Sequence, residues 1–247
     1  MDKELQDIQS WLAAASSFEL PSYRELPGVP LYMEQVVEYI NSALKPINPS
    51  NKDILTSFMV NNYVKADILK EPVKKKYNTE HLGYLLAISS LKRVLSMSEI
   101  SMLIEMDKDV AADKSVLYGF FKVMARDTLQ ESSKKVALKT QSFVDTYNNE
   151  VKAGNPNAEQ NLRDRLGLIA LRLAVQAGVD SMIAQMILDE VAKSVHGEKA
   201  YEFESTPGHH EVRRENKISL AESKRLAAVK KEKSKAEKPS VDHKKEK

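Results

Sequence analysis

The residue types best suited to recognition chemistry gather in one run, "TSFMVNNYVKADILKEPVKKKY", positions 56–77. Thr56, Ser57, Asn61, Asn62 and Lys65 are short polar or cationic groups spaced to share the exposed side of a helix. An Asn amide donates and accepts at once, which matches the edge that adenine shows in the major groove. Lys70, Lys74, Lys75 and Lys76, followed by Tyr77, fall on the next turn. Ammonium groups there would neutralise phosphates and hold a docking register. Taken piecewise, the same residues are a polar helix face and a solvated turn. Leu55, Val60, Tyr63 and Ile68, interleaved with them, read as core.

Other chemistries find little to work with. The chain has no cysteine, so disulfides, thiolate catalysis and Cys-bound zinc are excluded. His81, His196, His209, His210 and His243 show no metal-ligand spacing. The few glycines are scattered, so no phosphate loop is present, and no nucleophile-elbow or kinase signature appears. The expectation is a non-enzyme with no cofactor and no metal.

The elements that must position the run are helical. Residues 3–17 carry Leu5, Ile8, Trp11, Leu12 and Ala15 at helical spacing. Pro21, Pro27 and Pro30 make the next stretch an irregular connection. Helices are predicted over 31–44, over 54–69 before Pro72, and over 78–95 with Asn78 or Thr79 as N-cap. Ser96 and Glu99 have capping-box spacing, so a new helix starts there. Further on, separate helices are predicted at 113–130 and 133–151, with "AGNPN" closing the second. Another runs over 158–177 to a C-cap at Gly178, and Asp180 caps a last one bearing Met182 and Met186, read as core or dimer interface.

The run "LGLIALRLAV", 166–175, is too short to span a bilayer and contains Arg172, so no membrane is expected and the protein is expected in the cytoplasm. From Glu222 onward ten Lys or Arg stand against five Asp or Glu, whereas the rest holds 27 basic and 30 acidic groups. Any positive footprint in the folded part is therefore local. After about residue 203 the chain turns Lys-, Glu- and Ser-rich, and 203–247 is expected to be a disordered basic tail.

The segments "LPGVPLYMEQVVEYI", "LTSFMVNNYVKADILKEPVKKKYNTEHL" and "LKRVLSMSEI" carry a family resemblance. From Leu31 to about Met106 the chain resembles the MerR-like winged helix-turn-helix. It is still more similar to an uncharacterised bacterial family, domain of unknown function 1836. Asn61, Asn62, Tyr63 and Val64 stand under the R-Y-Y-E that ends the MerR recognition helix, while Tyr77, Asn78 and Glu80 stand under the end of its wing. "SMSEI" resembles its S-L-E-E-I helix start. Asn61 replaces an Arg that contacts backbone, Phe58 replaces an earlier Arg, and Asp67 replaces a glycine. The wing is shorter and lacks its Gly-Tyr-Arg, which shifts the basic contacts to Lys74, Lys75 and Lys76.

The expected molecule is all-α. It divides into an N-terminal amphipathic helix and linker (1–24), a winged helix-turn-helix with a small wing (25–107), a helical dimerisation or effector domain (108–202) and the tail (203–247). The resemblance implies a transcriptional regulator that binds a double-stranded DNA operator as a homodimer, and no residue identifies a small-molecule effector. A protein-interaction module on the same scaffold, without DNA binding, is the alternative.

Overall fold

Among the described residues the chain holds seven α-helices and no strand. The computed structural model describes residues 2–196 apart from 51, 111 and 112, so the expected tail at 203–247 lies outside the described residues.

Helix α1 (Asp2–Ser17) is the predicted amphipathic helix, and it buries Leu12 and Ala15. The proline-bearing connection leads to α2 (Met33–Leu44), where the Gln35 side chain accepts from the Tyr32 N–H at 2.9 Å. A single 3-10 turn, Lys45–Ile47, follows at Pro46. Then come α3 (Ser57–Lys65), α4 (Thr79–Leu91) and α5 (Met97–Val110). The α5 start uses the predicted capping box, with Glu99 N–H donating to Ser96 Oγ at 3.2 Å and Ser96 N–H to the Glu99 carboxylate.

Helix α4 is the centre of the fold. Leu82, Leu85, Leu86 and Ile88 are buried on it, facing α2 on one side and α6 on another. Each such side chain contributes roughly 1.5–3 kcal/mol of transfer free energy. Gly83 admits the Tyr118 ring, since a Cβ there would lie 3.2 Å from it. Tyr118 is itself buried and donates its hydroxyl to the Pro21 carbonyl at 2.9 Å. That ring thereby ties the linker, α4 and α6 together, and burial pushes its pKa far above the usual phenol value.

Two helices are longer than predicted. One helix, α6 (Lys114–Lys152, 39 residues), runs through the expected break near 131, and α7 (Ala158–His196, 39 residues) runs through the expected cap at Gly178. The reason is local. No Pro or Gly stands at 131–133, and the small buried Ser133 and Thr140 lie on the helix that receives α1. Gly178 keeps negative φ, so it is interior helix and not a left-handed cap. The "AGNPN" turn between α6 and α7 does form: Gly154 takes φ 73°, and Asn155 N–H reaches the Glu150 carbonyl at 3.0 Å. Arg165 on α7 then pairs with Glu150, which holds that carboxylate below its usual pKa.

The continuous α7 also alters the reading of its apolar run. By length and composition it is long and apolar enough to cross a membrane, whereas 166–175 alone was not. From Leu171 to Asp180 every residue is exposed.

Candidate nucleic-acid interface

The geometry of the site starts at α3. Thr56 is its N-cap, with Oγ1 accepting from Met59 N–H at 3.3 Å, so this hydroxyl serves the helix end. Val60 and Tyr63 are buried, as are Leu55 and Ile68 beyond the two ends. The opposite side is exposed, and it presents Ser57, Phe58, Asn61, Asn62 and Lys65.

The helix ends earlier than the predicted 69. Asp67 takes φ 57°, Asp67 N–H donates to the Val64 carbonyl at 3.1 Å, and Ile68 N–H to the Tyr63 carbonyl at 3.0 Å. These are the paired bonds of a left-handed C-cap, at a site where glycine is the usual residue. The chain turns there four residues sooner than the Pro72 rule suggests, which sets Leu69 into the core.

Three side chains that the sequence reading did not single out hold this helix and the hairpin after it. Asn41 on α2 clamps the loop before α3: its Nδ2 donates to the Leu55 carbonyl at 2.8 Å, and its Oδ1 accepts from Ile54 N–H at 2.8 Å and Leu55 N–H at 3.0 Å. Lys92, just after α4, donates to the Ile54 carbonyl and lies 3.5 Å from Met59 Sδ. Burial holds its amine below the usual lysine pKa. His81 is the third. Asn78 N–H donates to its Nδ1 at 3.1 Å, and its Nε2 lies 3.2 Å from the Lys70 carbonyl. Its Nδ1 also lies 2.5 Å from Asn78 Oδ1. Burial lowers its pKa below 6.5, against smaller opposing effects. The Asn41 signal was present in the sequence as a lone amide on an apolar helix face, but only the loop's position shows what it binds.

The turn after α3 is a minimal hairpin. Val73 and Lys76 form an antiparallel bridge, with Lys76 N–H on the Val73 carbonyl at 3.0 Å. Lys74 and Lys75 between them have φ 51° and 62°. Positive φ at both central residues marks a type I′ turn, which favours Asn and Gly. Left-handed backbone costs an L-residue roughly 1–2 kcal/mol. The segment leading away pairs once more, Leu31 N–H and Tyr77 N–H each donating to the other's carbonyl at 2.8 Å.

The predicted contact residues thus divide. Ser57, Asn61, Asn62, Lys65, Lys74 and Lys75 are exposed, and these three lysines have no ion pair among the described residues. Lys70 is exposed but pairs with Glu80 at 3.0 Å. Lys76 is half-buried, its amine 4.9 Å from the centre of the Tyr32 ring. Tyr77 belongs to the core instead: it is 3% exposed and meets His81 edge to face at 5.4 Å. Alternation in the hairpin explains this, because the residue that bridges Leu31 turns its ring inward. Phe58 is the residue the reading passed over. At 74% exposure it stands among the polar groups of α3, uncovered among the described residues.

This arrangement defines an all-α protein carrying two helices and a short lysine hairpin, with the hairpin bridged to Leu31 before α2. Residues 21–121 match the family model described as Domain of unknown function (DUF1836), which covers the three segments of the resemblance. Neither curated proteins nor solved structures yield a match.

Proposed function

We propose that the 25–107 segment is a winged helix-turn-helix of MerR-like type. On this reading it binds double-stranded DNA in a cytoplasmic transcriptional regulator that works as a homodimer on a two-fold operator. Helix α3 approaches the groove with Asn61, Asn62 and Lys65, and the hairpin sets Lys74 and Lys75 against phosphates. The observation that carries this is the hairpin: two lysines occupy the two left-handed positions where Gly or Asn would cost less. Strained backbone kept at an exposed, cationic tip is the usual mark of a binding role. The run 52–77 also has six lysines against three carboxylates, which supplies the local positive charge that the folded part as a whole lacks.

The test is a fluorescence-anisotropy titration of the full chain on DNA from upstream of its own gene, against scrambled DNA. Specific binding should weaken by roughly a hundredfold or more between about 50 and 200 mM salt. The Lys74→Ala/Lys75→Ala/Lys76→Ala variant should lose most of it. Specific binding that survives the triple change would sink the hairpin assignment.

One observation favours the protein-interaction alternative. Phe58 at 74% and Val73 at 75% exposure, with Tyr32 beside Lys76, place uncovered apolar groups among the polar ones. Under that reading no DNA binds at any salt, and Phe58→Ala removes partner binding.

A further inference from the structure

Phe58 is a large aromatic left bare on α3, and its exposed neighbours on that helix are all polar. It is the second residue of α3 and 74% exposed. Asn61, Asn62 and Lys65 lie three, four and seven positions further on, the spacing that puts all four side chains on one helix face. Those three are exposed as well, and among the described residues neither amide side chain has a hydrogen-bond partner. The stripe therefore runs from an apolar ring through two unpaired amides to a cation. Anchors of protein interfaces sit in apolar, desolvated surroundings, which this face of α3 does not supply.

An A·T pair shows the major groove a matching set of groups. Adenine presents an acceptor and a donor, and thymine presents an acceptor and then its 5-methyl group, the only methyl on a base edge. A guanine would instead call for a bidentate cation. Side chains three or four positions apart on a helix stand roughly 5–6 Å from one another. Stacked bases rise about 3.4 Å per step, so the ring and an amide reach one pair or two adjacent ones. The N-terminal residues of a recognition helix are those that meet base edges. Here that end is held from behind, since Thr56 caps it and Lys92 donates to the Ile54 carbonyl.

We propose that Phe58 is a specificity-determining residue of α3, its ring packing on the 5-methyl group of a thymine while Asn61 or Asn62 takes the adenine of that pair or the next. This rests on the DNA-binding reading above and adds to it the base class that α3 reads, A·T and not G·C.

A duplex selected on the full chain from a randomised pool serves as the probe in fluorescence anisotropy. Each thymine is replaced in turn by deoxyuridine, which removes the 5-methyl group and keeps every hydrogen-bonding atom. At least one position should lose roughly three- to fivefold in affinity, the worth of one buried methyl. Phe58→Ala should weaken binding to the thymine duplex by at least that factor, and uracil at that position should then cost it nothing more. Phe58→Leu, which keeps an apolar contact, should recover part of the discrimination. The thermal midpoint of Phe58→Ala should stay at the wild-type value, because the ring is exposed. Specific binding that no uracil weakens, or a Phe58→Ala chain that still tells thymine from uracil, overturns the proposal and leaves DNA binding standing. A pool that yields no enriched duplex overturns the DNA-binding reading and this inference with it, and assigns Phe58 to a protein partner.

Discussion

The α2-to-α4 region and helix α7 use similar amounts of apolar residue in opposite ways. Around α4 the large aliphatics are sealed, and almost every loop that reaches the exposed face of α3 is tied by a side chain: Asn41, Lys92 or His81. On α7 the aliphatics of the middle turns are exposed, and among the described residues no side chain reaches back to hold them between Arg165 and Ser181, which donates to the Val94 carbonyl at 2.9 Å. The first region seals its apolar side chains within one chain, and the second leaves many of its own exposed among the described residues. The exposed face of α3 is therefore held by neighbouring side chains of the same chain, while the middle of α7 is held by its own helical hydrogen bonds.

The comparison breaks first on core truncation. Leu82→Ala on α4, fully buried, should cost about 2–5 kcal/mol in urea unfolding. Leu171→Ala on α7 should cost less than about 1 kcal/mol at low protein concentration, where the helix is solvated. A similar loss at both sites would show that α7 is covered within the monomer.

The next largest effect is expected at Asn41. Asn41→Ala strands the Ile54 and Leu55 backbone groups, so about 1–3 kcal/mol should be lost, with faster hydrogen exchange at those two amides. An unchanged midpoint would mean that water replaces the clamp at no cost.

At the hairpin the sign reverses. Lys74→Gly/Lys75→Gly should stabilise by up to about 1 kcal/mol per site, since glycine accepts positive φ freely. The same change should weaken DNA binding. Higher thermal stability together with weaker binding is the expected pair of outcomes. Destabilisation would show that the lysine side chains themselves hold the turn.

The smallest effect is a pH dependence from His81. Its folded pKa lies below 6.5, so as pH falls through 6.5 the unfolded chain takes up a proton before the folded one does. Stability should thus be full above 6.5 and decline below it, and His81→Gln should flatten that decline. Gln is also a suitable capping-box partner at that position. Thermal melts at several pH values between 7.5 and 5 would settle it, and an identical slope in both proteins would assign the decline elsewhere.

Much of the site was legible because its signals are local. Asn78 and the Ser96–Glu99 pair act within one helical turn, so their residue types suffice to place helix starts, whereas Thr56, read as a contact inside a helix over 54–69, is the N-cap itself. The apolar repeat likewise identified Leu55, Val60, Tyr63 and Ile68 as core. Helix ends were harder. Asp67 does the work of a glycine, and Gly178 declines to do it, because whether a residue turns left-handed depends on what the following chain can bury. After Asp67 come Ile68 and Leu69, which enter the core. After Gly178 the repeat of α7 simply continues.

By itself the amino-acid sequence determined the helical class, the helix starts at Asn78 and Ser96 and the position of a lysine-bearing turn, since each rests on neighbours within a few residues. Tertiary structure alone decided that Tyr77 faces inward and Phe58 outward, that Asn41 clamps a loop 13 or 14 positions away, and that the middle turns of α7 stand uncovered among the described residues. Those outcomes depend on which surfaces meet in space. Periodicity shows that a helix has an apolar side, and only packing shows whether anything is there to cover it.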